Sequence, residues 1–329
     1  MLTLLRLAAL TTLFSCWIGW PGAVAAAKTG DIAEQQLRHI ATHYPGRMAG
    51  SPAEMLTADY LQQWFQQLGY PSDSRRFRTR YNYLQQNGEK TLRNVSATSV
   101  IAAKEGEVPQ QILIVAHLDS HTPLSDAESQ QSLGGLSAQA ADNNASGLGV
   151  MLELAERLRN TPLHYSLRFV ALSGEEIGHR GSEDYLARMK PDEKRQTLLV
   201  IDLNTLLVGQ HLTFRSGKNT PQAVIRQTRD RAQALAKRHG ISALATAGDD
   251  DSQNPFDRDG LPLLTVTASD GPANGLPAVL KQRFPSGLRN QAQRDNLAFI
   301  DRWLPGRITS RTHNSVTVLL PLLRELANP

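Results

Sequence analysis

Residues 168–186 read RFVALSGEEIGHRGSEDYL, and the reading of this stretch decides the fold. Phe169–Leu172 is an unbroken apolar run of strand length, Ser173-Gly174 interrupts it, and a helical segment starts near Ser182. A strand apolar on both sides is one buried on both faces of a sheet. Strand, turn and helix in so short a span read as one unit of an alternating α/β chain. Glu175 and Glu176 fall in the turn. Adjacent carboxylates oppose each other's ionisation once water is excluded, so an isolated pair of this kind reads as a solvated loop.

The same pattern recurs outward from this stretch. QQILIVAHLDS (110–120), TLLVIDLN (197–204) and LPLLTVTAS (261–269) are further short apolar runs, and RRFRTRYNYL (75–84) and NVSATSVIAA (94–103) alternate like strands. Helical periodicity marks 31–44, 145–160, 182–190, 221–240 and 315–327. It also marks 51–70, where Ala58, Leu61, Phe65 and Leu68 share one face behind a Ser51-Pro52 start with Glu54. The expected fold class is α/β, with a mixed, mostly parallel central sheet flanked by helices. PGRMAG (45–50) is a tight loop, and the polar stretch after Leu124 is a long one of the kind that carries function.

The chain has 329 residues, 40% hydrophobic and 20% charged, with a formal charge of +4. Its Lys and Arg are scattered, so no nucleic-acid partner is expected. Residues 1–27 have one early charge (Arg6), an apolar run and small residues at Ala23, Ala25 and Ala27, the pattern of a cleaved secretory signal. Cys16, the only cysteine, lies in that leader, so residues 28–329 hold neither a disulfide nor a thiolate metal site. We expect those residues to form a single catalytic domain, periplasmic or secreted, without stable membrane association. Oligomeric state is not legible.

Ligand sites in such sheets lie beyond the carboxyl ends of the strands. His117 and Asp119 follow one apolar run, Glu175 and Glu176 another, Asp202 ends a third, and Asp142 opens a helix. A lone strand-end His is more often a satisfied polar residue, and a lone Asp before a helix is more often a cap. Together they form the imidazole and carboxylate set that suits zinc. Residues i and i+2 of a strand share a side, so Asp119 can hold the second ring nitrogen of His117. One glutamate can then coordinate while its neighbour handles a proton.

AHLDS (116–120), ADNNASG (141–147) and SGEEIGHRGS (173–182) resemble the three signature segments of the co-catalytic zinc aminopeptidases, in order, and the resemblance covers nearly all of the chain after the leader. It implies a sheet-centred hydrolase fold with two zinc ions. It also implies His117 on one zinc, Asp142 bridging both, Glu176 on the second, Glu175 as general base and Asp119 orienting His117. Asp202 is the strand ligand in this scheme. Three departures stand out. Asn143 replaces a second aspartate beside Asp142. Asp202-Leu203-Asn204 exchanges the family's Asn-x-Asp. Asn290-Gln291 stand where a late histidine is expected ahead of Asp295-Asn296.

His121, His179 and His313 read as loop or surface residues, with His121 and the distant His313 as alternative replacement ligands, and Asp249–Asp251 as a solvated acidic turn, with contact to a substrate amine as the alternative. The expected function is an exported zinc-dependent aminopeptidase that removes amino-terminal residues from peptides or exported proteins with metal-activated water. The alternative is an impaired homologue that binds peptides or proteins. Amino-terminal sequencing of exported protein is expected to find a start between Ala26 and Lys28; a retained Met1, or lipid on Cys16, contradicts the leader.

Overall fold

Apolar runs dominate the middle of an eight-stranded sheet in the computed structural model, which describes residues 27–248, 253–270 and 294–329. The leader up to residue 26, Asp249–Asp251 and Asn290-Gln291 lie outside the described residues. The strands are β1 (Ser72–Leu84), β2 (Lys90–Lys104), β3 (Val108–His117), β4 (Tyr165–Leu172), β5 (Thr197–Leu203), β6 (His211–Ser216), β7 (Ala243–Ala247) and β8 (Leu263–Ser269). Their order is β1-β2-β4-β3-β5-β8-β6-β7. Four of the seven ladders are parallel, including the β4-β3-β5-β8 centre, and three are antiparallel. The expected α/β class with a mixed sheet is what the chain adopts. Strands β6 and β7 have no counterpart in the sequence reading, because HLTFRS and ALATA are short and half polar.

The helices are α1 (Asp31–His43), α2 (Pro52–Gln67), α3 (Asp126–Gln131), α4 (Ser146–Leu158), α5 (Arg180–Arg188) and α6 (Pro191–Gln196). They continue with α7 (Gln222–Ile225) and α8 (Arg231–Arg238), joined by a π turn over Arg226–Asp230, then α9 (Pro255–Arg258), α10 (Leu297–Trp303) and α11 (Arg307–Ala327). Among the described residues no helix is long and apolar enough to cross a membrane.

Alternation along β3 explains its continuous apolar run. Ile112, Ile114 and Ala116 join Leu37, Leu148, Met151 and Leu152 of α1 and α4 on one side. Leu113 and Val115 join Tyr185, Leu186 and Phe256 of α5 and α9 on the other. Helix α1 lies so close to α4 that a Cβ on Gly149 would come within 2.4 Å of the Ala33 carbonyl oxygen. The buried Glu153 carboxylate of α4 closes the same junction, accepting the Gly30 and Ala33 amides at 2.8 Å each and thereby capping α1.

Strands β1 and β2 form a ribbon that outgrows the sheet. Only Val100–Lys104 of β2 pairs with β4, so the rest of the ribbon continues past the carboxyl end of β4, over the rim where a site is expected. Its inner face packs Phe77 and Ala97 on Ala49 and Ile177. The tip is fastened by Tyr83 Oη donating to Asp126 Oδ1 at 2.7 Å.

Helix α2 helps to hold the ribbon. Ser51 Oγ accepts the Glu54 amide at 3.1 Å, an ordinary cap. Glu54 does not reach back to Ser51; its Oε1 accepts the Thr98 amide of β2 at 2.6 Å. Burial pushes the Glu54 carboxyl up to about 7 from its ordinary 4.5, outweighing that hydrogen bond. The folded chain thus keeps this proton between about 4.5 and about 7 while the unfolded chain loses it, so stability falls as pH rises through that window. Glu54→Gln is expected to raise the unfolding free energy by roughly 2 kcal/mol at pH 8 and to change it little at pH 5. Urea unfolding at both values checks this, and equal effects at the two would show an ionised carboxylate in the fold.

Candidate active site

Elements from five parts of the chain meet at the carboxyl rim. Strand β3 ends in His117, with Asp119 two residues on. The imidazole Nδ1 sits 2.9 Å from the Asp119 carbonyl oxygen and 3.4 Å from its Oδ1. Asp119 Oδ2 accepts the Glu176 amide at 3.0 Å and so ties the turn after β4 to the end of β3. His117 and Asp119 are both buried.

The two glutamates divide their roles. Glu175 Oε1 accepts the Ser182 amide at 2.7 Å, in the first turn of α5, and Oε2 lies 3.0 Å from His179 Nδ1. The hydrogen bond it donates to Glu175 holds the His179 imidazole above its ordinary value. Glu176 points the other way: Oε1 accepts Asn143 Nδ2 at 2.8 Å, and Oε2 lies 3.6 Å from His121 Nδ1. Burial opposes its charge, but His121, His117 and Asn143 outweigh burial and hold Glu176 below the usual carboxylate range. His121 and His179 therefore belong to the site, His179 against its reading as an exposed loop residue and His121 in line with the alternative reading that placed it beside the motif. His313 donates or accepts only elsewhere, at the Thr29 carbonyl and Thr317.

Asp202, near the end of β5, accepts Asn254 Nδ2 at 3.0 Å. Burial pushes its carboxyl up to about 6, and the neighbouring Glu175 charge adds to this. Asn204, two residues on, leaves its buried Oδ1 without a hydrogen-bond partner among the described residues.

Asp142 is the residue the sequence reading misplaced. It was expected between His117 and Glu176. Its carboxylate instead turns back into the fold, where Oδ1 and Oδ2 accept the Leu207 and Val208 amides at 2.7 and 3.2 Å. The side chain that stands between His117 and Glu176 is Asn143, with Oδ1 at 2.9 Å from His117 Nε2. Asp295 sets this arrangement: its two oxygens accept the Asp142 and Asn143 amides at 2.6 and 2.9 Å, where Asn143 and Asn144 leave helical geometry just ahead of α4. Asn144 turns away in its turn, its Nδ2 donating to the Leu203 carbonyl at 2.8 Å.

The hydrogen bonds also orient the Asn143 amide. Glu176 only accepts, so it takes the Nδ2 side, and Oδ1 must face His117. Nε2 then donates, while Nδ1 donates toward Asp119, which makes the ring an imidazolium. Burial alone would lower its pKa, but Asp119, Glu176 and Glu175 push it up to about 10.

A mixed eight-stranded α/β sheet with imidazole and carboxylates gathered on its carboxyl rim has its candidate site where open α/β sheets bind their ligands. The sequence profile of peptidase family M28 matches residues 99–315, and the chain belongs to that family. It is 49% identical over 322 residues to the alkaline phosphatase isozyme conversion protein of Escherichia coli (strain K12), covering 93% of each chain. An aminopeptidase of Bacillus subtilis (strain 168) is 25% identical over 176 residues, covering 52% of this chain and 36% of the relative. Among solved structures, a zinc aminopeptidase from Bacillus subtilis superposes with a TM-score of 0.67 at 13% identity, covering 92% of this chain and 96% of the other. A glutaminyl cyclase from Porphyromonas gingivalis superposes with a TM-score of 0.61 at 19% identity, covering 91% and 99%. The family supports a peptidase, hence a hydrolase, and it implies zinc.

The donor set does not fit a carboxylate-bridged pair of zinc ions. Zinc takes deprotonated ligands, yet the central position holds a neutral amide, and His117 turns both ring N–H groups to acceptors. Among the described residues no group of three or more His, Cys, Asp and Glu side chains could hold a metal ion. A carboxylate at 143 would repel Glu176 unless a cation lay between them; an amide needs no cation there.

Asn143→Asp is therefore expected to tighten zinc binding by about tenfold or more, measured by competition with a chromogenic chelator. Equal affinity in the two proteins would show that position 143 does not govern the metal.

Proposed function

We propose that the protein is an exported hydrolase of the aminopeptidase type that receives the free amino termini of peptides or exported proteins, and that Asn143 holds its turnover low. In this reading residues 1–27 are removed on export, and residues 28–329 act as one catalytic domain in the periplasm or outside the cell. The leader pattern of residues 1–27 supports the exported assignment.

One observation carries the reading. Glu175, Glu176 and Asp202 converge with His117 on one rim of a sheet that belongs to a peptidase family. Three carboxylates complement an ammonium group. Beside them opens a cleft of about 430 Å³ lined by His121, Leu133, Gln139 and Asp295, large enough for the first side chains of a peptide. Glu175 is the base that takes the proton of the attacking water: a carboxylate fixed by the Ser182 amide and His179 does not swing away. Asp119 keeps the His117 ring in place.

A second reading, a peptide-binding protein with no turnover, is favoured by Asn143, whose amide already satisfies His117 and Glu176.

The test pairs binding with turnover. A peptide with a free amino terminus is expected to bind, and its N-acetylated form to bind far more weakly. Slow release from an amino-acid arylamide is expected to fall a further 10²–10⁴-fold, roughly, in Glu175→Gln, with peptide binding kept. Equal binding of the acetylated peptide would remove the amino-terminus reading. No detectable release from the unaltered protein would leave the binding-only reading.

A further inference from the structure

The outer face of the ribbon carries Arg76, Arg78 and Arg80 at successive same-side positions of β1. All three are exposed, and none has an ion-pair or hydrogen-bond partner among the described residues. Arg78 and Arg80 stand opposite Ser96 and Asn94 in the ladder, so no acidic side chain faces them across the ribbon. Together with Thr79, Asn94 and Arg180 they line a polar cavity of about 520 Å³.

Arg180 comes from a different element, the start of α5. Its Nη1 lies 2.7 Å from Glu183 Oε2, which neutralises it in part, while its Nε is buried without a partner. A Cβ on Gly174, the residue before Glu175, would lie 3.3 Å from the Arg180 Cβ, so the hollow borders the turn that carries the glutamates. Phe77, next to Arg78 in the chain, reaches the same turn: a Cβ on Gly174 would lie 3.6 Å from its ring.

Edge strands often carry charge simply to avoid pairing with other chains. That purpose needs charge anywhere along β1. It does not call for a further arginine, brought in from α5, beside an open polar hollow.

We infer that the ribbon and Arg180 form a docking surface for acidic polypeptide, which selects chains carrying Asp or Glu a short way downstream of the amino terminus held in the site. The inference rests on the amino-terminus reading above and adds the class of chain preferred. An extended polypeptide rises about 3.3 Å per residue, so side chains roughly three to five residues in lie about 10–16 Å beyond the amino terminus. Guanidinium groups pair with carboxylates in forked geometry, which suits such side chains.

Eight-residue peptides with either acidic or neutral residues at positions four to six, each with a free or an acetylated amino terminus, test this by calorimetry. The acidic peptide is expected to bind about tenfold more tightly than the neutral one at low salt, with the gap closing at high salt. Arg78→Glu with Arg80→Glu is expected to abolish the preference, and the milder Arg78→Gln with Arg80→Gln to reduce it. Circular dichroism on both variants, altered only at exposed positions, monitors the fold. A preference that survives charge reversal, or no preference in the unaltered protein, overturns the docking surface while leaving the amino-terminus reading intact. An arginine-dependent preference that ignores acetylation does the reverse. Failure of every peptide to bind removes both.

Discussion

The buried guanidinium of Arg47 is the interaction on which the site depends. Its Nε donates to the Leu118 carbonyl at 3.0 Å, Nη1 to Tyr44 and Gln139 at 3.1 and 2.9 Å, and Nη2 to Ala140 at 3.2 Å. Leu118 lies between His117 and Asp119, while Gln139 and Ala140 lead into Asp142 and Asn143. One side chain thus fixes the two loops that face each other across the rim. Burying a guanidinium is costly, and burial lowers the Arg47 pKa to about 10 against the pull of Asp295 and Asp119. It remains charged at neutral pH, and carbonyls from three loops share that charge. The Ser120 amide donates back to the Arg47 carbonyl at 2.9 Å, which closes the tie from the other side.

Because this scaffold consists of backbone bonds to Arg47 and Asp295, the rim is organised without reference to what occupies its centre. That separation makes the exchange of carboxylate for amide at position 143 tolerable. A cluster of carboxylates demands a cation; an amide between an imidazolium and a carboxylate demands nothing further. Charge has been replaced by directional hydrogen bonds at one point, and the fold around that point needs no rebuilding.

Sequence alone disclosed the class of fold because strands buried on both faces leave continuous apolar runs, and these runs are long in β3, β4 and β5. Helix α2 was legible through its Ser51 cap and the Ala58, Leu61, Phe65 stripe, all of which the fold buries or caps as expected. Residue types at strand ends pointed to His117, Asp119, Glu175, Glu176 and Asp202, since a strand end is fixed by the run that precedes it. Asp142 and Asn143 sit instead in an irregular stretch whose direction is set by Asp295, some 150 residues later in the chain. No local pattern could tell which of the two faces the centre. Arg47 was hidden for a similar reason: in PGRMAG it has the look of a loop arginine, and its partners are backbone carbonyls, which carry no sequence signal. His121 and His179 were legible only as polar residues near the motifs, because their partners are the glutamates themselves.

Helix α4 also acts as a spacer. Its first turn follows Asn143 and Asn144 at the rim, and its last turn holds the opposite end of the described chain, where Arg157 Nη2 donates to the Ala27 and Lys28 carbonyls at 3.0 and 2.7 Å. Thirteen helical residues extend about 20 Å. The segment leading into α1 is thus moored at the far end of the very helix that opens onto the cleft. A folded molecule cannot bring that segment into its own cleft without first releasing Arg157 and the Glu153 cap.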